Sequence, residues 1–337
     1  MSKVSLKDIK NHNRRLVLQS IINSQNLSRI VLSKETGLAP STVTTMVAEL
    51  LDEKVLVESG LTLSTGGRGR KKLQINPEYG LIAIIEISRQ KSVLHIYDMS
   101  LDKLKEQMIL KHRQLSGNEL FFDISMAIID SFYKKDEHLC LAGIGLLFKE
   151  DMNESDLNVT FSTSLSADNI SLKDALFTQF KVPVVGEYSV NELLNTTNNE
   201  VKVKNSVHIA LANTILLSLT IDGRPLEMNG GNSANITRIL SALHGHEEQQ
   251  GNAQKQLPVL TEAAKILALL CGMFSLDMIL LYGDAVKKRG FVSELRKTLA
   301  SILAPGTTPP IRVVNPPGKS LSEKMAVRIR NTILGTA

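Results

Sequence analysis

Residues 28–73 read SRIVLSKETGLAPSTVTTMVAELLDEKVLVESGLTLSTGGRGRKKL, and this stretch limits the folds open to the chain more than any other. Two short helical patterns meet at Thr36-Gly37, and a turn dense in glycine and basic residues follows. That is the order of parts in a winged helix-turn-helix, which sets its second helix in the major groove of DNA. Ahead of it, residues 5–24 carry Ile9, Val17, Leu18, Ile21 and Ile22 at helical spacing. Ser28 is placed to cap the next helix with its hydroxyl, and Leu32 is that helix's core residue. Gly37 tolerates the positive φ that ends a helix. Leu38 packs inward, and Pro40 presets the first turn of the third helix. There Val43, Val47, Leu50 and Leu51 form an apolar stripe, while Ser41, Thr42, Thr44 and Thr45 fall at the N-terminal end or on the opposite face.

Those small hydroxyl residues suit close approach to phosphates and base edges. None is an Arg, Asn or Gln able to grip a base with two hydrogen bonds. Other elements must therefore supply part of any specificity. Short strands at Leu56 and Leu73 flank a hairpin whose tip runs from Thr65 through Gly66, Gly67, Arg68, Gly69 and Arg70 to Lys71 and Lys72. Glycine lets the backbone approach a duplex, and Arg68 and Arg70 can reach a narrow minor groove. Ser41, Thr42, Thr44, Thr45, Arg68, Arg70 and Lys71 are the expected DNA contacts.

The charge supports this division. Residues 1–77 hold 12 Lys and Arg against 6 Asp and Glu, and the rest of the chain holds 27 against 28. The excess positive charge thus lies where phosphate neutralisation needs it. The cysteines, Cys140 and Cys271, lie far apart in apolar runs and form no CxxC pair. That pattern predicts neither a disulfide framework nor a cysteine zinc site, and it suits a reducing cytoplasm. The opening MSKVSLKDIKNHNRR lacks the apolar segment of a secretory signal. The run Ile266–Leu281 is interrupted by Gly272, Ser275 and Asp277 and reads as a helix followed by a strand, not a membrane span.

After Asn76-Pro77 the pattern changes. Strands are predicted at residues 81–87, 93–99, 141–148, 182–185, 278–282 and 311–314, with a long β-rich region at 207–221. Helices are predicted at residues 120–133, 171–180, 257–273 and 288–303. A β-meander combined with βα units in this order predicts an α/β fold of two lobes. The expected domains are 1–77, the winged helix-turn-helix, and 78–337, the α/β body.

Over nearly its full length the chain resembles the ROK family of bacterial repressors and sugar kinases. The most specific part is the winged helix joined by GGRGRKKLQINPEYG to the first strand of the body. LIAIIEISRQKSVLHIYDMS, Gly143-Ile144-Gly145, FKVPVVGEYSVNE and LDMILLYGDAV support it. The resemblance implies a two-lobed, actin-like (ribonuclease H-like) body behind the DNA-binding head. It also implies an oligomer, expected to be a homodimer, and a sugar or sugar-phosphate effector.

Several positions depart from the family's kinase pattern. Where the family phosphate loop reads Asp-x-Gly-x-Thr, this chain has Glu86-Ile87-Ser88-Arg89-Gln90. Where the resemblance places Glu-Asn-Asp, with the Asp as general base, it has Glu187-Tyr188-Ser189, and a serine hydroxyl cannot accept a proton as a carboxylate does. The second phosphate-binding cluster would fall at Ala212-Asn213-Thr214-Ile215, which has no glycine. In the zinc and sugar segment Asn235 stands for the sugar-binding Glu and Arg238 for the zinc-binding His, with no cysteine nearby. His244 and His246 read as a surface loop.

The expectation is therefore a cytoplasmic DNA-binding regulator, a repressor of carbohydrate-related genes. It would read an inverted-repeat operator and carry a body without catalytic residues, cofactor, metal or membrane contact. Glu187, Asn191 and Asn235 are the candidate effector-pocket residues. The rival readings are an active sugar kinase with an added DNA-binding head and a protein-interaction module.

Overall fold

The computed structural model describes residues 5–24, 27–62, 70–88, 91–111, 116–132, 140–149, 158–162, 167–188, 203–211, 215–226, 228, 234–236, 259–283, 285–314 and 320–336. The N-terminal head contains helices α1 (Leu6–Asn23), α2 (Arg29–Thr36) and α3 (Pro40–Asp52), then strands β1 (Leu56–Thr62) and β2 (Arg70–Ile75). Ser5 and Asp8 cap α1 reciprocally, satisfying two otherwise orphaned backbone donors. Val17, Leu18 and Ile21 on α1 close over Leu32, Val43, Val47 and Leu50. Met46 joins the buried stripe of α3, whereas Leu51 is only half-buried. β1 and β2 pair antiparallel from Leu56↔Ile75 to Thr62↔Arg70, and Leu27 adds a bridge to Leu73.

The body holds two sheets with the same wiring. In the first, β3 (Leu81–Ile87), β4 (Lys91–Asp98), β5 (Lys103–Lys111), β6 (Leu141–Phe148) and β9 (Val184–Tyr188) lie in the order β5-β4-β3-β6-β9. The β3–β4 and β4–β5 pairs are antiparallel, and β3–β6 and β6–β9 are parallel. Between these strands come α4 (Gly117–Phe132), the hairpin β7 (Asn158–Ser162) and β8 (Ala167–Ser171), and α5 (Leu172–Phe180).

The second sheet uses β10 (Ser206–Leu211), β11 (Ile215–Ile221), β12 (Arg224–Pro225), β14 (Met278–Tyr282) and β15 (Ile311–Val313) in the order β12-β11-β10-β14-β15. β13 (Ala234–Asn235) also pairs with β11. Again three antiparallel strands precede two parallel ones. α6 (Val259–Met273) and α7 (Phe291–Ile302) cover one face of this sheet. Two lobes of like topology are the actin-like arrangement.

β3, at the centre of the first sheet, alternates between two cores, as the period of two requires. Ala83, Ile85 and Ile87 face α4 and α5. Ile82, Ile84 and Tyr97 face the other way, toward α8 (Leu321–Leu334) and the head. Gly143 and Gly145 on β6 allow α8 to sit directly on the strand. A Cβ at Gly145 would lie 2.6 Å from Ile84 Cδ1 and 2.9 Å from Met325 Cγ, and one at Gly143 would lie 2.7 Å from Ile329 Cγ2.

The head and body share one apolar core. Val17, Leu18 and Leu50 of the head belong to the same cluster as Ile84 and Met99 of the sheet and Met325, Ile329 and Leu334 of α8. Beyond α8, Arg15 Nε donates to the Gly335 carbonyl at 3.2 Å and Gln19 Nε2 to the Thr336 carbonyl at 3.3 Å. At the junction, Asn76 N donates to the Val55 carbonyl at 2.9 Å, and Asn76 caps a single turn at Pro77–Tyr79. One apolar core thus runs across the boundary expected at residue 77.

Candidate nucleic-acid interface

The turn between α2 and α3 is fixed by its own side chains. Gly37 ends α2 at φ 70°, where a Cβ would be strained. Thr36 Oγ1 donates to the Leu32 carbonyl at 2.6 Å, and Ser33 Oγ donates to the Leu38 carbonyl at 2.7 Å. Pro40 occupies the first turn of α3 as its fixed φ predicts. Ser28 holds the N-cap position of α2, but its side chain makes no capping hydrogen bond, which corrects the role expected for its hydroxyl.

On α3, Ser41, Thr44 and Thr45 are exposed and Thr42 is half-buried. Ala48 extends the exposed line by another turn, and sequence reasoning passed over it because a lone alanine carries no polar signal. Thr44 Oγ1 donates to the Pro40 carbonyl at 2.8 Å, and Thr45 Oγ1 donates to the Ser41 carbonyl at 3.1 Å. With their hydrogens turned back to the helix, these threonines present methyl groups and acceptor lone pairs outward. Such a surface complements base amino groups and thymine methyls.

The β1–β2 hairpin follows α3 in the chain, and its loop, residues 63–69, lies outside the described residues. Arg68 is outside the described residues, as is the side chain of Arg70, whose backbone opens β2. Glu58 on β1 binds two cations: Arg29 Nη2 approaches it at 2.9 Å, and the Lys71 ammonium pairs with its other oxygen. The Lys71 hydrogen bond, against a smaller burial effect and with help from Arg29, holds the Glu58 carboxyl below its ordinary range. Elsewhere in the head, Lys10 pairs with Glu49 at 2.9 Å, and Arg14 grips Glu53 through two contacts of 2.9 and 2.6 Å. These pairs engage Lys10, Arg14, Arg29 and Lys71 with Glu49, Glu53 and Glu58, charges that the sequence count already sets against one another.

In the body, the position matching the family phosphate loop carries an ion cluster. Lys149 Nζ lies 3.1 Å from Glu86 Oε2. The imidazole of buried His95 stands 3.5 Å from Glu86 and 3.4 Å from Glu106. Burial pushes the Glu86 carboxyl up, but His95 and the Lys149 charge outweigh it and hold the group at about 2. The His95 separations are long for hydrogen bonds, so Lys149 is the firmer partner. Ser88 Oγ donates to the Lys91 carbonyl at 2.8 Å and closes the β3–β4 turn on itself.

Of the candidate effector residues, Glu187 lies on β9 and Asn235 on β13, in different sheets. Glu187 accepts from Arg328 Nη1 of α8 at 2.7 Å. The side chain of Asn235 and all of Asn191 lie outside the described residues, as do Ala212-Asn213-Thr214, Arg238, His244 and His246. In the second lobe, His208 is fully buried between Ser206 Oγ at 3.0 Å and Tyr282 Oη at 2.9 Å, and burial lowers its imidazole to about 3. Among the described residues no group of three or more His, Cys, Asp or Glu is placed to hold a metal, and no helix is long and apolar enough to cross a membrane.

No family model matches the chain. The xylose repressor of Bacillus subtilis (strain 168) is 28% identical over 187 residues, covering 54% of this chain and 47% of that protein. The DNA-binding transcriptional dual regulator NagC of Escherichia coli (strain K12) is 23% identical over 194 residues, covering 55% and 46% respectively. The chain thus spans about half the length of the curated relatives it matches. Among solved structures, a ROK family transcriptional regulator homologous to the E. coli MLC protein superposes with a TM-score of 0.62 at 16% identity, covering 97% of each chain. That superposition spans head and two-lobed body alike and shows the fold they share, and in sequence the chain is similar to the curated regulators named above.

Proposed function

We propose that this chain is a sequence-specific DNA-binding transcriptional regulator, a repressor of carbohydrate-related genes acting in the cytoplasm. The observation that carries the proposal is the exposed line Ser41–Thr44–Thr45–Ala48 on α3, with the β1–β2 hairpin next in the chain. A single head reads only one short half-site, so the working form is a homodimer on an inverted repeat. A sugar or sugar phosphate is the effector. It acts by binding one spacing of the two heads better than another, since equal affinity shifts nothing. α8 contacts both the first sheet and the head, which supports it as the carrier of that signal.

The body serves as scaffold and sensor without catalysis. Three features support that reading: Glu86 is committed to Lys149, Glu187 to Arg328, and a serine stands at the general-base position. Phosphorylation of a sugar by the purified chain would contradict it.

Fluorescence anisotropy of a labelled duplex across a salt series tests the DNA-binding reading. Binding should weaken as salt rises, because counterions return to the phosphates. Arg68→Ala with Arg70→Ala should lower the affinity and flatten the plot of log affinity against log salt by about 2. An unchanged slope would remove the wing from the interface.

A further inference from the structure

We propose that Glu58 is an internal competitor for the DNA backbone. It holds Arg29 and Lys71 away from phosphate, lowers affinity for any duplex, and leaves discrimination to α3. This inference rests on the DNA-binding reading above.

The argument begins with position. Arg29 is the first residue of α2, and the first helix of a helix-turn-helix crosses the DNA backbone. Lys71 is the second residue of β2, paired with Leu61 at the loop end of the hairpin. Both cations therefore stand where a docked duplex would present phosphates. Glu58, on the neighbouring strand, reaches both with a different oxygen for each: Oε1 for Arg29 at 2.9 Å and Oε2 for Lys71. Its side chain is only 23% exposed, while that of Lys71 is 62% exposed. The carboxylate is thus seated in the head, and the lysine is the partner free to be drawn elsewhere.

The charge balance decides the sign. Arg29, Lys71 and Glu58 together carry +1, and without the carboxylate they carry +2. Each cation that neutralises a phosphate releases counterions and steepens the salt dependence by about 0.9. A carboxylate that occupies two cations removes that gain from every duplex alike, because the backbone carries no sequence information. Glu58 therefore weakens non-specific binding without touching a base. The released fraction of binding falls to contacts at Ser41, Thr44 and Thr45.

The test compares the native chain with Glu58→Gln on a mixed-sequence duplex between 50 and 200 mM salt. The variant should bind about tenfold tighter at 50 mM, with a log–log slope steeper by about 2. Adding Arg29→Gln to that variant should remove about half of the extra slope. A correctly folded Glu58→Gln protein with unchanged or weaker affinity overturns the proposal, because that outcome means Glu58 positions the cations and does not sequester them.

Glu58→Asp, whose carboxylate is one methylene shorter and cannot span both cations, gives an independent reading even if Glu58→Gln does not fold. Its slope should steepen by about one unit, and an unchanged or shallower slope would overturn the proposal. A native chain that binds no duplex at any salt would defeat the DNA-binding reading and this inference together. A native chain that binds, with no gain on removing Glu58, defeats this inference alone.

Discussion

Ile329→Ala is expected to lower the stability of the chain by about 2–5 kcal/mol, the usual cost of truncating a fully buried aliphatic side chain. Ile329 is 0% exposed and lies on α8 against the two glycines of β6. Its removal leaves a void in the core that also contains Val17, Leu18 and Leu50 of the head. The loss should therefore appear at two levels. The denaturation midpoint should fall, and limited proteolysis near residue 77 should release the head before the body is digested.

Excess volume at the same seam should act in the same direction. Gly145→Val pushes carbon into Ile84 and Met325, and overpacking of this kind typically costs about 1–3 kcal/mol. A head that stays protease-resistant in both variants would mean that α8 does not hold it.

Acid should destabilise the chain in two stages. His208 is kept neutral by burial, with its pKa lowered from 6.5 to about 3. The unfolded chain then binds a proton below pH 6.5 that the folded chain refuses. Stability from this group is complete above 6.5 and is lost as pH falls toward 3, at about 1.4 kcal/mol per pH unit. Glu86 adds a second loss lower down. Its carboxylate, lowered from 4.5 to about 2, contributes stability above 4.5 that disappears as pH falls toward 2. Asp98, whose carboxyl is raised by burial, works in the opposite direction.

Urea denaturation midpoints from pH 7.5 to 4.5 should therefore decline from about 6.5 downward. His208→Gln should flatten the upper part of that decline, although losing contacts to Ser206 and Tyr282 lowers its stability at neutral pH. A variant with the native slope would place the pH dependence in another group.

The head was legible because its signals are local. Thr36-Gly37, Pro40 and the stripe at Val43, Val47 and Leu50 each specify their own conformation within a few residues. Much of the body was legible for a related reason: strands such as Leu81–Ile87 and Leu141–Phe148 are buried and read as apolar runs.

β5 was missed because Leu104, Glu106 and Met108 are all exposed at the sheet edge, so no buried face imposes a clean alternation. α8 was missed although its signal is present: Ser320 caps it through Glu323 N, and Met325, Ile329 and Ile333 recur every four residues. Partners at the candidate sites were beyond sequence reading. Arg328 meets Glu187 across 141 residues and Arg29 meets Glu58 across 29, and only the folded chain brings such pairs together.

Selection of bound fragments from a random duplex pool by the purified chain addresses the central claim most directly. A reading head on α3, paired through a dimer, predicts enrichment of one inverted repeat, whose recovery falls in the presence of a particular sugar or sugar phosphate. Recovered sequences indistinguishable from the input pool would contradict it.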